Sequence, residues 1–470
     1  MRTLLDLMRV FVFVCAIAAR LAFACDQLPA GQSLWIRLTA PVSTYTAKAG
    51  DPVHAVLTQD LVCENDVLLP MGTPIEGVVL SKRKVGWGIR HETAALELGF
   101  NRAIPIPGAA IELGARVEEV ENAREPVRKG VIEGIRSSDT FQGSINSRLI
   151  HLPTWNPYSD PVLIAYKAVF PIFPEPEIYY PAGTDIRLRT TEEVSLLPMV
   201  AGARESFATA KTDSDPLGQF VEQLPWRVTT KKEADADLIN IVFVGSEDAV
   251  KSAFREAGWE NADSVSERTV MKNLYALLNK SSYARQPMMT FYLNGKPEDM
   301  NWQKGLNGYD RRDHLRIWQW TSTEGTVWVS SSTHDTGAML SVKHRAFVHH
   351  IAPAIDDERS TIVRDLDFAG CVSSVRYVAR PEMPMTTRNA VGDVMHTDGL
   401  VAVVALQHCK PVEPQPDAGN ARFRPGNYAF RFVRRQILTF RNDIVRANII
   451  YGAYDVGRMT FVALRHQSPK

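Results

Sequence analysis

From residue 33 to about 200 the chain alternates apolar and polar residues in short runs, each broken by glycine or proline. Ser33-Leu-Trp-Ile-Arg-Leu38 alternates, His54-Ala-Val-Leu57 follows, and Ile75-Glu-Gly-Val-Val-Leu80 is a further run. A period of two puts every second side chain on one face of a strand. Helical spacing is missing over this stretch. Many short strands so close together close into a barrel or stack as a sandwich. Leu69-Pro-Met-Gly-Thr-Pro-Ile75 is echoed by Tyr180-Pro-Ala-Gly-Thr-Asp-Ile186. In each, proline presets a turn and glycine supplies positive φ, so each reads as a turn feeding a strand.

A different kind of segment precedes this region. Arg2 and Arg9 flank a positive start, and Val10 to Ala19 then carries no charge. An apolar run of about ten residues is well short of the roughly 20 that span a bilayer. Ala22-Phe-Ala24 follows as a small-x-small cleavage site, so residues 1–24 read as a secretory signal. An uncleaved anchor and a lipoprotein at Cys25 are the alternatives; a lipobox wants leucine where Ala22 stands. Export to the periplasm or cell envelope favours disulfides. Cys25, Cys63, Cys371 and Cys409 remain after cleavage. Locality favours Cys25 with Cys63 and Cys371 with Cys409, against other pairings or buried free thiols.

After the β-rich region (25–200), residues 201–235 are polar and read as a connection. A second domain, 236–410, opens with the buried strand Leu238–Val244. Gly245-Ser246 then turns the chain, with Ser246 as N-cap of a helix carrying Val250, Ala253, Phe254 and Ala257 inward, and Gly258 closing it. A helix from about Ser266 to Leu278 is expected to turn Val270, Leu274, Leu277 and Leu278 inward. Strands at 288–293, 313–320 and 325–332, a helix from about Asp356 to Leu366, and strands near 372–379 and 400–407 complete an α+β unit. A Pro-rich stretch and an arginine-rich tail occupy 411–470, read as a surface helix or a membrane-surface contact. The fold class is therefore multi-domain: an all-β, barrel-like N-terminal domain followed by an α+β domain.

Chemistry is harder to read. Fifty-three basic and 53 acidic residues balance, which argues against a nucleic-acid partner. No Cys-x-x-Cys, His-Glu-x-x-His, Gly-x-Ser-x-Gly or Walker loop occurs, and Gly86-Trp-Gly88 lacks the context of a dinucleotide loop. No cofactor and no standard metal-ligand spacing is found. The loop between His151 and Glu177, rich in proline and aromatics, reads as packed on the barrel or as a binding loop. The candidate residues lie in one stretch: His314, Arg316, His334, Asp335, His350, Asp356 and Glu358. Histidine titrates near neutrality, carboxylates can complete an acid–base or metal set, and arginine can clamp an anion. If even positions of strands 313–320 and 325–332 pair, His314, Arg316, Trp328 and His334 share one face, with Asp357, Arg364 and Asp365 on the following helix. A structural polar network is the competing explanation.

Two resemblances bear on these readings. Ala49-Gly-Asp-Pro-Val53 and Leu69-Pro-x-Gly-Thr-x-Ile-x-Gly77 resemble the start of the periplasmic β-barrel of TrbI-type conjugation proteins, which implies a barrel and not conjugation. Asn240–Ser246, Ala257-Gly-Trp259, His314–Trp318, Val327-Trp-Val329 with His334-Asp335, His350 before Ile355–Arg359, and Thr397-Asp-Gly399 together resemble the LssY C-terminal domain family over about 236–410. That family implies a bacterial envelope protein and supplies no catalytic residues. The expected function is an exported envelope protein, a non-enzymatic binding or structural module whose envelope partner or ligand is open. The alternatives are a metal-assisted or acid–base hydrolase of an envelope phosphate or glycan, and a membrane-surface adaptor.

Overall fold

The computed structural model describes residues 27–195 and 216–446, apart from 64–65, 89, 107–108, 137–139, 141–174, 265, 280, 323–324, 342–345 and 411–427, together with Gly457. The signal segment, Cys25 and most of the 151–177 loop lie outside the described residues.

Six strands form the barrel of the N-terminal domain: β1 Ser33–Leu38, β2 Pro52–Leu57, β3 Pro74–Arg83, β4 Ala95–Ile106, β5 Ala109–Val120 and β6 Asp185–Thr190, with shorter strands beside them. Each pairs antiparallel with the next, and β6 pairs with β1, so the sheet closes on itself. Closure removes the exposed edges that an open sheet would carry. The alternation seen in sequence fills the interior with Leu34, Ile36, Leu57, Ile75, Leu98, Phe100 and Leu188. Full burial of such a side chain is worth about 1.5–3 kcal/mol. Both Pro-x-Gly-Thr repeats form the same turn. Gly72 and Gly183 have φ of 86° and 88°, and the hydroxyls of Thr73 and Thr184 donate to the carbonyls of Pro70 and Pro181. The first turn feeds β3 and the second feeds β6.

The second domain centres on a mixed sheet. Its strands are β7 Ile241–Val244, β8 Met300–Gly305, β9 Arg312–Ser322, β10 Gly325–Ser341, β11 Ala346–Ile351, β12 Val372–Ala379 and β13 Leu400–Leu406. The order is β8-β9-β10-β7-β13-β12, with β11 added to the far half of β10. β7 lies parallel to β13 and antiparallel to β10, at the centre of the sheet, and both its faces are buried, Ile241 and Phe243 in one core and Val242 in the other. That position explains why its sequence is an unbroken apolar run. Helices α1 Pro216–Gln223, α2 Glu247–Glu256, α3 Glu267–Asn279 and α4 Ile355–Phe368 accompany the sheet. Phe254 of α2 and Ile362 and Leu366 of α4 pack on one face with Trp302 and Trp328. Leu217 and Val221 of α1 pack on the other with Trp318 and Val401.

Several expectations are corrected here. The second domain begins at α1, inside the stretch read as a connection, because Leu217, Val221 and Val228 join its core. Among the described side chains of α3, Thr269 and Ala276 are buried, Leu274 and Leu277 are half-buried and Val270 is 49% exposed, so the helix is rotated from the face its apolar residues imply; the side chain of Leu278 lies outside the described residues. On α4, Asp357 is exposed while Arg364 and Asp365 are buried. α2 is capped as its sequence indicates, with Ser246 Oγ accepting from Ala249 N. Cys371 and Cys409 form a disulfide.

The described part of the arginine-rich tail is a helix, α5 Tyr428–Arg446, and it packs back onto the barrel. Leu438 enters the barrel's apolar cluster. Arg434 is buried, donating to Gly86 O at 2.6 Å and Glu177 Oε1 at 2.9 Å and pairing with Glu175. A side chain at Gly88 would meet Leu438 Cδ2 at 2.3 Å, so Gly86-Trp-Gly88 serves as the seat of this helix. Among the described residues, no helix is long and apolar enough to cross a membrane.

Candidate functional site

The pairing of β9 with β10 decides which candidates meet. Asp313 lies opposite His334, His314 opposite Thr333, Arg316 opposite Ser331 and Gln319 opposite Trp328. Even positions therefore pair with odd ones. An offset of one residue flips every side chain to the other face. His334 and Trp328 thus share a face with Asp313, and His314 and Arg316 share the opposite face with Asp335. The seven candidates do not converge on one point.

On the α1 face the centre is Asp335. It accepts from Arg312 Nε at 2.8 Å, and the Nδ1 atoms of His349 and His314 stand 3.3 and 3.7 Å from it. Arg312 also donates to Gln303 Oε1. His314 Nε2 meets Thr333 Oγ1 at 3.1 Å, and His349 Nε2 meets Gln286 Nε2 at 2.9 Å. Burial pushes the His314 imidazole down to about 3, against the pull of Asp335. His349 is lowered for the same first reason. Burial alone would raise Asp335, but the two imidazoles and Arg312 together hold it below the usual carboxylate range. Arg316 is separate: it donates to Met289 O at 2.9 Å and lies over the Phe291 ring at 4.1 Å.

Two candidates are anchors elsewhere. His350 Nδ1 pairs with Asp393 at 2.7 Å. Asp356, at the start of α4, accepts from Thr397 Oγ1 at 3.0 Å, Asp398 N at 2.6 Å and Arg359. That set fastens the helix to the Thr397-Asp-Gly399 turn.

The α4 face holds the remaining pair, His334 and Glu358, and brings them to Asp313. His334 Nδ1 and Asp313 Oδ1 are 2.6 Å apart. Asp313 Oδ2 accepts from Asn122 Nδ2 of the barrel at 2.6 Å. One ligand atom from each of Asp313, His334 and Glu358 lies within 4.8 Å of the other two. Asp313 and Glu358 are buried, whereas the His334 side chain is 21% exposed and forms the outer edge. Glu121, at the end of β5, joins from the barrel and accepts from Arg364 Nη2 at 3.0 Å. Burial raises Glu358 well above the usual carboxyl range, and Asp313 and Glu121 push the same way. Burial raises Glu121 to about 8, with Arg364 opposing and Asp313 adding to it. Burial would raise Asp313 and lower His334; their mutual hydrogen bond reverses both.

Next along the same seam stands a second cluster. Arg37 of β1 donates to Asp185 at 2.7 and 2.9 Å and to Asp365 of α4 at 3.0 Å. Lys304 of β8 donates to the same two carboxylates at 2.7 Å each, and Trp259 Nε1 to Asp365 at 3.0 Å. Arg364 also stacks over the barrel's Trp35 at 4.0 Å. Barrel and second domain are thus joined through buried charge.

Sequence reasoning passed over Asp313, Glu121, Asn122 and His349 as site residues. Asp313 and His349 stood beside chosen residues, and only the strand register separates them. Glu121 and Asn122 had no local signal, since their role comes from a domain distant in sequence.

Residues 221–401 match the family model described as LssY C-terminus. The structure of ComB10 of the Com type IV secretion system of Helicobacter pylori is similar over 38% of this chain and 93% of its own, with 12% identity and a TM-score of 0.22. No curated protein matches the chain.

Proposed function

We propose that this chain is an exported envelope protein in which the barrel and the LssY-like domain act as one non-enzymatic binding or structural module. The observation that carries this reading is the Arg37–Asp185–Lys304–Asp365 cluster. It uses two cations and two carboxylates from both domains, and each makes at least two polar contacts. Residues of these types in an enzyme would face an opening; here they fasten one domain to the other. The Cys371–Cys409 disulfide fits an oxidising compartment, as does the secretory pattern of residues 1–24.

The hydrolase reading needs at least two histidines and a carboxylate around one accessible point. The α4 face supplies one histidine, His334; the opposite face brings His314 and His349 to Asp335, but Asp335 and His314 are buried there. Two measurements test the module. Fractionation of cells expressing the full chain is expected to place it in the periplasm or envelope, with an N-terminus following Ala24. A screen of phosphoester and glycoside substrates, with and without divalent metals, is expected to show no turnover above that of His334→Ala. Turnover that depends on His334 would replace the module with the hydrolase.

A further inference from the structure

We propose that Asp313, His334 and Glu358, backed by Glu121 and Asn122 of the barrel, form a binding site for a divalent transition cation of the Zn2+ or Mn2+ class. The proposal is independent of whether the protein has an activity.

Three observations carry it. First, the ligand atoms are close enough: one from each of the three residues lies within 4.8 Å of the others. An ion about 2.0–2.2 Å from each nitrogen or oxygen needs its ligand atoms within about 4.4 Å of one another, so atoms at this spacing need close in by at most a few tenths of an ångström. Second, the neighbourhood has more acceptors than donors. Glu358 Oε1, Glu121 Oε2 and Asn122 Oδ1 are all buried without a hydrogen-bond partner among the described residues. Glu358 itself is only 3% exposed. Buried oxygens without donors are costly, and a cation satisfies several at once. Third, the carboxyl groups outnumber the cations beside them: Glu121, Asp313 and Glu358 have the Arg364 guanidinium and the His334 imidazole as their close cations, so ionising all three leaves an excess of negative charge.

The donor set selects the class of ion. One imidazole with two carboxylates suits Zn2+ or Mn2+, whereas Ca2+ and Mg2+ prefer all-oxygen shells. His334 gives the ion a route from solvent, since its side chain is the exposed member. Asn122 holds Asp313 in place from the barrel, the kind of outer contact that fixes a ligand's orientation. Bound there, the ion would sit at the seam and tighten the two domains together.

The test uses the full chain, purified free of metal. Equilibrium dialysis against Zn2+ and against Mn2+ is expected to give one ion per chain, with a higher melting temperature when loaded and no comparable effect of Ca2+. His334→Ala is expected to abolish binding and Glu358→Gln to weaken it at least tenfold. His350→Ala, whose imidazole pairs with Asp393 elsewhere, is expected to bind as the wild type does. Should a variant fail to fold, electron spin-echo spectroscopy of the Mn2+-loaded wild type counts coordinated imidazoles without any substitution. One imidazole nitrogen supports the site; none or two overturns it. Binding weaker than about 1 mM, or binding that survives both folded variants, also overturns it.

Discussion

Two polar clusters lie side by side where the barrel meets the second domain, built from the same elements, and they differ in balance. In the Arg37–Asp185–Lys304–Asp365 cluster two cations meet two carboxylates, and Asp365 also receives the Trp259 indole. In the Asp313–His334–Glu358 cluster, buried oxygens outnumber the donors that reach them. Glu358 and Asp365 stand two helical turns apart on α4. The difference teaches which of two buried charge groups is fastening and which has room for something more. A buried group that satisfies itself specifies one arrangement of the domains; one left short of donors is held together by protonation or by a guest.

The sharpest way to break the comparison is the same isosteric change in each cluster. Asp365→Asn removes a charge where Arg37 and Lys304 both need it and points amide hydrogens at them. The expected loss is about 3–5 kcal/mol of unfolding free energy, the usual cost of stranding buried charges. Chemical denaturation of the variant against wild type measures it, and a loss below about 1 kcal/mol would show that the cluster is not what joins the domains. Arg434→Ala should cost less, about 1–3 kcal/mol. Glu177 keeps Thr44 Oγ1 and the Val85 and Gly86 amides as donors. The barrel should therefore stay folded while α5 detaches. Limited proteolysis is expected to cut within 428–446 faster in the variant, with the barrel fragment as resistant as before.

These clusters mark how far the sequence can be read. The barrel was legible because alternation fixes which side chains point inward, and Leu34, Ile36 and Leu38 do so. The α2 cap and the β7 run were legible for equally local reasons. The site was not. Its layout depends on a one-residue choice of register between β9 and β10, and nothing in Asp313-His-Leu-Arg316 or Thr333-His-Asp335 fixes that choice. The register follows from longer-range packing, in which Leu315, Ile317 and Trp328 must all enter the α2–α4 core. α3 failed for a related reason: Val270 follows helical spacing, but the face that docks is set by Thr269 and Ala276. Contacts across domains, such as Asn122 to Asp313, leave no mark in either local sequence.

The unbalanced cluster should also show in the pH dependence of metal-free protein. Glu121 is raised to about 8 in the folded chain, above its ordinary value of 4.5. The unfolded chain therefore releases this proton first, and the stability linked to it is present below about pH 4.5 and is lost as pH rises towards 8. His334, also raised, adds a loss in the same direction above its ordinary value of 6.5. Glu121→Gln removes the first contribution. Its melting temperature is expected to fall less than that of the wild type between pH 5 and 8; parallel curves would mean that Glu121 is not held protonated.

The smallest expected effect is the most discriminating. Glu358→Gln makes on α4 the change that Asp365→Asn makes two turns later, from carboxyl to amide of the same shape. In metal-free protein, burial and the neighbouring carboxylates raise Glu358 well above the usual carboxyl range, which favours its protonated form. The amide resembles that form and supplies two donors where Glu358 Oε1, Glu121 Oε2 and Asn122 Oδ1 have none. The expected change in unfolding free energy is within about 1 kcal/mol of zero, on the stabilising side if the amide reaches a carboxylate. Denaturation in the presence of a chelator measures it. A loss as large as that of Asp365→Asn would mean that Glu358 is ionised and paired, that the two clusters are alike, and that the seam has no vacancy of charge for a cation to fill.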